Sequence, residues 1–126
     1  MHWQGCDCDG YICGGYTDVA WCGGADWKSS TESFLFSLKD HTGVSQVKMP
    51  IKSDQQQAGY AVVHNSCYGP TFGDDCDVYV ASNANANTGS FCSAGDTYQL
   101  PSNINEPHFL TGSKHFTVSE YEVFLF

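Results

Sequence analysis

Tyr68-Gly69-Pro70-Thr71-Phe72-Gly73, running through Asp74-Asp75-Cys76-Asp77 into Val78-Tyr79-Val80, is the stretch on which the fold turns. Gly, Pro and the acidic run form turns, whereas Val-Tyr-Val favours a strand. Gly59 to His64 and Asp77 to Ala81 therefore read as two strands, and the loop between them carries the Tyr-Gly-Pro and Phe-Gly signatures. Upstream, Tyr11-Ile12-Cys13 reads as a short strand entering Gly14-Gly15, a pair that marks tight backbone packing. Thr17 to Trp21 reads as a strand or extended turn, Gly23 to Asp26 as a loop, and Ser33 to Leu38 as a buried strand. Val47, Met49 and Ile51 alternate with Lys48, Pro50 and Lys52, which predicts an edge strand, because Pro50 has no donor. Ser82 to Ser90 is a low-complexity surface loop. Near the end, Tyr121, Val123 and Leu125 face one way, and Glu120, Glu122 and Phe124 the other. Residues 1–10 read as a Cys-rich irregular cap on a single β domain spanning 11–126. There is no long amphipathic helix and no internal repeat, so the expected class is mostly β and antiparallel, α+β only at the margin.

The 126 residues include 14 Asp plus Glu against 5 Lys, with no Arg, for a net charge of −9. That balance repels phosphate backbones and lacks the guanidinium fork that reads them, so nucleic acid is not an expected partner. No apolar run approaches the roughly 18 residues needed to span a bilayer, and membrane insertion is not expected. An acidic surface suits solubility, cations or a basic protein partner.

Seven cysteines, Cys6, Cys8, Cys13, Cys22, Cys67, Cys76 and Cys92, are dense for a cytosolic domain of this size. They read as disulfide candidates in a secreted, extracellular protein, with one thiol left over. Four thiolates near the N-terminus also satisfy the count for zinc, but paired Cys-x-x-Cys knuckles are absent and no metal is expected. Asp74-Asp75-Cys76-Asp77 and Asp7-Cys8-Asp9-Gly10 look like calcium fragments, yet calcium needs about six to eight oxygens, and both read better as solvated turns. His64 and Cys67 are close in sequence, without the orienting group and oxyanion site of a nucleophilic dyad. Glu120 and Glu122, two apart on a strand, share one face; paired carboxylates do acid–base chemistry on sugars, but nothing else here marks a sugar cleft. Gly14-Gly15 lacks the Lys-Ser/Thr ending of a phosphate loop. Trp3, Trp21 and Trp27 read as core or turn anchors sooner than as a carbohydrate platform. No catalytic residue and no cofactor are expected.

Three blocks in order carry a resemblance: Gly14-Gly15-Tyr16-Thr17-Asp18-Val19-Ala20-Trp21, the Tyr68 to Val80 stretch, and Leu110-Thr111-Gly112-Ser113 with Phe116 to Phe124. Ser29-Ser30 and Phe34-Leu35-Phe36-Ser37-Leu38 fit between the first two. Together, over residues 11–126, they resemble the TLDc domain family. The resemblance implies a sandwich of antiparallel sheets with short flanking helices, buried Trp21 and Phe72, and a structural Asp77. It marks Glu120 and Glu122 as a candidate functional surface. It implies protection against oxidative stress or, for some members, binding to the vacuolar proton-pumping ATPase, without an established catalytic mechanism. Family domains carry a further N-terminal portion, so this chain resembles a truncated member. Truncation implies an open sheet edge that invites a protein partner or self-association, with the cysteine-rich cap stapling the reduced core. The expected function is a non-enzymatic, disulfide-stabilised, secreted binding or protective module. The alternatives are a cytoplasmic protein with the family's intracellular roles and, third, a metal-dependent or hydrolytic enzyme.

Overall fold

The computed structural model describes residues 2–7, 10–19, 25–40, 43–54, 59–65, 69–74, 76–81, 83, 86–102, 104 and 108–124. Its strands are β1 (His2–Asp7), β2 (Ile12–Tyr16), β3 (Ala25–Lys28), β4 (Phe34–Asp40), β5 (Gly43–Pro50), β6 (Val62–Asn65), β7 (Thr71–Phe72), β8 (Val78–Tyr79), β9 (Ser90–Cys92), β10 (His115–Phe116) and β11 (Val118–Phe124). All pairings are antiparallel and fall into two sheets, ordered β11-β1-β2-β4-β5 and β10-β9-β8-β7-β6-β3. The mostly β expectation holds, and no helix occurs among the described residues.

Period-two alternation builds the core. In β2 and β4, Cys13, Leu35 and Ser37 are buried, whereas Ile12, Tyr16, Phe34 and Phe36 are only half-buried on the opposite face. Met49 and Ile51 extend the first sheet's inner face, and Val62, Phe72, Val78 and Cys92 supply the second's. One cluster joins both sheets, as expected when two half-apolar sheets stack. On the outer face of the first sheet Tyr16 stacks on Phe34 at 5.2 Å, and the Lys48 ammonium lies 4.2 Å from the Phe34 ring. The Ser37 hydroxyl is buried with no hydrogen-bond partner among the described residues.

Residues 2–7, expected as part of an irregular cap, form β1 instead, paired on both sides with β2 and β11. The turn-forming residues around Cys6 predict irregularity locally, but two ladders of backbone hydrogen bonds override that preference. The register shifts between Cys6 and Asp7, whose successive partners are Glu120 and Val118, as at a β-bulge. The N-terminal segment therefore fills the interior of a sheet, and the sheet edges lie elsewhere, at β11, β5, β10 and β3. Ala25-Asp26, expected as loop after Gly23-Gly24, belongs to β3, held by β6 from 34 or more residues downstream. Thr17 to Val19 bend rather than continue as strand. Pro50 ends edge strand β5, and the segment beyond it is covered: Ile51 bridges Tyr98, Lys52 N–H donates to the Thr97 carbonyl at 3.0 Å, and Gln99 N–H donates to the Pro50 carbonyl at 2.8 Å.

Candidate functional site

The three sequence blocks meet inside the sandwich. Gly15, on β2, faces Phe72, on β7: a Cβ at position 15 would lie 2.5 Å from the Phe72 ring. Glycine is required there because any side chain would occupy the space of the fully buried ring. Phe72 in turn stands edge-to-face with Tyr98 at 6.1 Å.

Thr17 and Asp18 turn the chain out of β2. The Val19 N–H donates to Thr17 Oγ1 at 3.2 Å, and the Ser33 hydroxyl donates to the same oxygen at 2.9 Å. Ser30 donates to Asp18 Oδ1 at 2.6 Å while its oxygen accepts from the Glu32 and Ser33 N–H groups. This serine turn carries the chain from β3 into β4. The Tyr98 hydroxyl donates to the Ala61 carbonyl at 2.6 Å and also hydrogen-bonds with Ser33. Burial pushes the Tyr98 phenol well above its ordinary value, so it stays a neutral donor.

Asp77 is the most deeply committed acid. It is fully buried, and its carboxylate accepts from the backbone N–H groups of Gly95 at 3.2 Å, Thr97 at 3.1 Å to each oxygen, and Tyr98 at 3.0 Å. Its own carbonyl accepts from Ser93 N–H, and Asp74 N–H donates to Thr97 Oγ1. These bonds clip the 93–98 segment to the turn between β7 and β8. Gly73 makes room for the carboxylate: its φ is +94°, and a Cβ would collide with Asp77. Burial raises the Asp77 carboxyl to about 6, the three N–H groups pull it down, and Asp96 adds to the rise. Asp74, by contrast, is exposed. The acidic run therefore splits between core and solvent. Among the described residues no three His, Cys, Asp or Glu side chains converge in a metal-holding group.

In the third block Thr111 is buried, donates to the Ser113 carbonyl at 2.8 Å, and hydrogen-bonds with the Cys92 sulfur. Cys92 is fully buried, and burial pushes its thiol up to about 12. Such a sulfur is a structural core group rather than a nucleophile.

The sequence matches a family model for the TLDc domain over residues 6–126. The chain belongs to the TLDc family. No curated protein and no solved structure matches it. The match begins at Cys6, so β1 contributes to this TLDc domain beyond the start at residue 11 that the motifs mark.

The structure scatters the candidate site residues. Glu120 and Glu122 are exposed on β11, at one edge of the first sheet, opposite Cys6 and Gln4 in register. Cys13 is buried on β2 and Cys76 half-buried in the Asp77 turn, with a φ of +56°. Cys6 is placed by its backbone in β1; Cys8, Cys22 and Cys67 lie outside the described residues, as does Trp21. Disulfide support is not shown: the structure closes no bridge through Cys13, Cys76 or Cys92. Trp27, expected as a core or turn anchor, is instead 47% exposed and stands edge-to-face with Tyr60 at 6.0 Å, while the roles of Tyr98, Ser33 and Tyr60 escape a reading of the sequence. No local motif marks them, because each acquires its partner across the fold.

Proposed function

We propose that this TLDc domain is a non-enzymatic binding or protective module that engages protein partners through its sheet edges. The observation that carries the reading is the division of its polar groups. Thr17, Ser30, Ser33, Asp77, Tyr98 and Thr111 are spent on internal hydrogen bonds, whereas Glu120, Glu122, Trp27 and Tyr60 stand exposed on or beside edge strands. Exposed strand edges pair readily with other chains. Crosslinking mass spectrometry on complexes captured by the purified domain tests this. Crosslinks should concentrate on the β3 and β11 edges and be lost on substitution there. Contacts confined to other surfaces, or a hydrolytic turnover abolished by Glu120→Gln, would refute it.

The compartment forms a second part of the proposal. Cysteine density supports an oxidising, extracellular setting. Alkylation of the denatured, unreduced protein, read by intact mass, should label fewer than all seven cysteines, and reduction should expose the rest. Seven labelled thiols without reductant would place the domain among the intracellular readings.

A further inference from the structure

We propose that the outer edge of β11 docks a basic β-strand of another protein, added in register with Glu120 and Glu122. The inference deepens the edge-binding reading above and rests on it. Among the described residues only β1 pairs with β11, so one side of the backbone of Val118–Phe124 is open. From Glu120 to Phe124 the ladder with β1 is regular, each residue opposite one of Cys6 back to His2. In an antiparallel ladder every second residue turns both its N–H and its C=O away from the partner strand. This regular stretch is therefore a template that another extended chain can complete.

The side chains on this edge select what completes it. Glu120 and Glu122 are exposed, and neither carboxylate has a hydrogen bond or ion pair among the described residues. Two residues apart, they share one face of the strand at a spacing of about 6.8 Å. Basic side chains at alternate positions of an added strand repeat that spacing and fall opposite them, where opposite charges attract. The cation in the same cross-strand row is too distant to compete. That row runs Glu122, Gln4, Gly14, Phe36, Lys48. Four strand spacings put Lys48 ~19 Å from Glu122, beyond the screening length of about 8 Å at physiological salt. The Lys48 ammonium lies over the Phe34 ring instead. A net charge of −9 adds a long-range field that favours a basic partner.

A second copy of this chain does not fit the same edge. A two-fold axis through Tyr121 of β11 would set Glu120 against Glu122 in both copies, a like-charge arrangement that blocks self-pairing. The other edges are blunted. Strand β5 is longer, at eight residues, but it carries the exposed Lys48 and ends on Pro50, which has no N–H. Lysine and proline on an edge are what discourage strand addition. Residues 97–99 also cover the end of β5. Strand β3 has four residues, Lys28 among them, and β10 has two. Only β11 combines a long regular ladder with unpaired acids and neither lysine nor proline.

Three synthetic octapeptides test the edge and its register against the purified chain. One alternates lysine with valine, one has the same composition with its lysines in a single block, and one alternates glutamate with valine. Titration calorimetry should show the alternating lysine peptide binding roughly tenfold or more tighter than the blocked one, and the glutamate peptide not binding. Hydrogen exchange should show new protection at alternate amides between Glu120 and Phe124. The double variant Glu120→Lys, Glu122→Lys should lose the lysine peptide and gain the glutamate peptide. The double variant Glu32→Lys, Asp74→Lys makes the same change in net charge at exposed sites elsewhere and should bind like the wild type. Circular dichroism and thermal melts of both variants separate lost folding from lost docking. No binding of the alternating lysine peptide, equal binding of the blocked one, or equal weakening by the two double variants would overturn the proposal. Such a failure concerns β11 alone: partner crosslinks on the β3 edge would still support the broader edge-binding reading, and their absence as well would remove it.

Discussion

At Gly15 the absence of a side chain is what lets the first and second sequence blocks touch. Gly15→Ala drives a methyl into the buried Phe72 ring, and overpacking of this kind costs about 1–3 kcal/mol. Urea unfolding should show the lowered midpoint, and Phe72→Leu in the same chain should recover part of the loss, because the two changes share one space. Asp77 predicts a pH dependence. Its carboxyl titrates near 6 in the folded chain against an ordinary value of 3.8. Between those values the folded state holds a proton that the unfolded state has released. Stability contributed by this group is therefore full below about pH 4, falls as pH rises through about 6, and is then level. The gap corresponds to on the order of 3 kcal/mol. Asp77→Asn should flatten the slope of stability between pH 4 and 7; an unchanged slope would assign it to other carboxylates. The residue types of Gly15, Phe72 and Asp77 were legible in the motifs. That Asp77 is stabilised by three backbone N–H groups from 93–98 was not, since those donors lie some 20 residues away.

At the scale of elements, the segment around Tyr98 acts as a strap. Its backbone runs beside residues 50–52 at the end of β5, while its ring and hydroxyl reach Phe72 and Ala61 of the second sheet. Tyr98→Phe keeps the ring and removes one of two donors to the Ala61 carbonyl, which keeps the Gly73 N–H at 3.0 Å. That should cost about 0.5–1.5 kcal/mol, seen as a lower melting temperature with an unchanged far-ultraviolet spectrum. A loss below that range would mean that water or another donor replaces the hydroxyl. Strands β4, β5 and the end of β11 could be read from sequence because their patterns, an aromatic and aliphatic run in the first and alternation in the other two, are local. Strands β1, β3, β7 and β9 could not. They are short or rich in turn formers, and pairing with distant partners is what makes them strands.

For the whole molecule, the defining contact joins the two ends of the chain. β1 inserts between β2 and β11, and β11 has no other strand neighbour among the described residues. Removing residues 1–7 should therefore unpair β11 as well and strip two strands from the five-stranded sheet. Loss of a cooperative unfolding transition and collapse of amide chemical-shift dispersion are the expected readouts; a truncated domain that still melts cooperatively with β11 protected would contradict this pairing. Sequence alone determined the class, the family and the inner faces, because alternation, glycine placement and the spaced blocks are written in local order. It also determined an acidic chain free of arginine. Tertiary structure decided which segments became interior strands, where the sheet edges fell, and which acids went to the core and which to the rim. Those choices depend on hydrogen bonds and packing between residues far apart in the chain, and no local pattern records them.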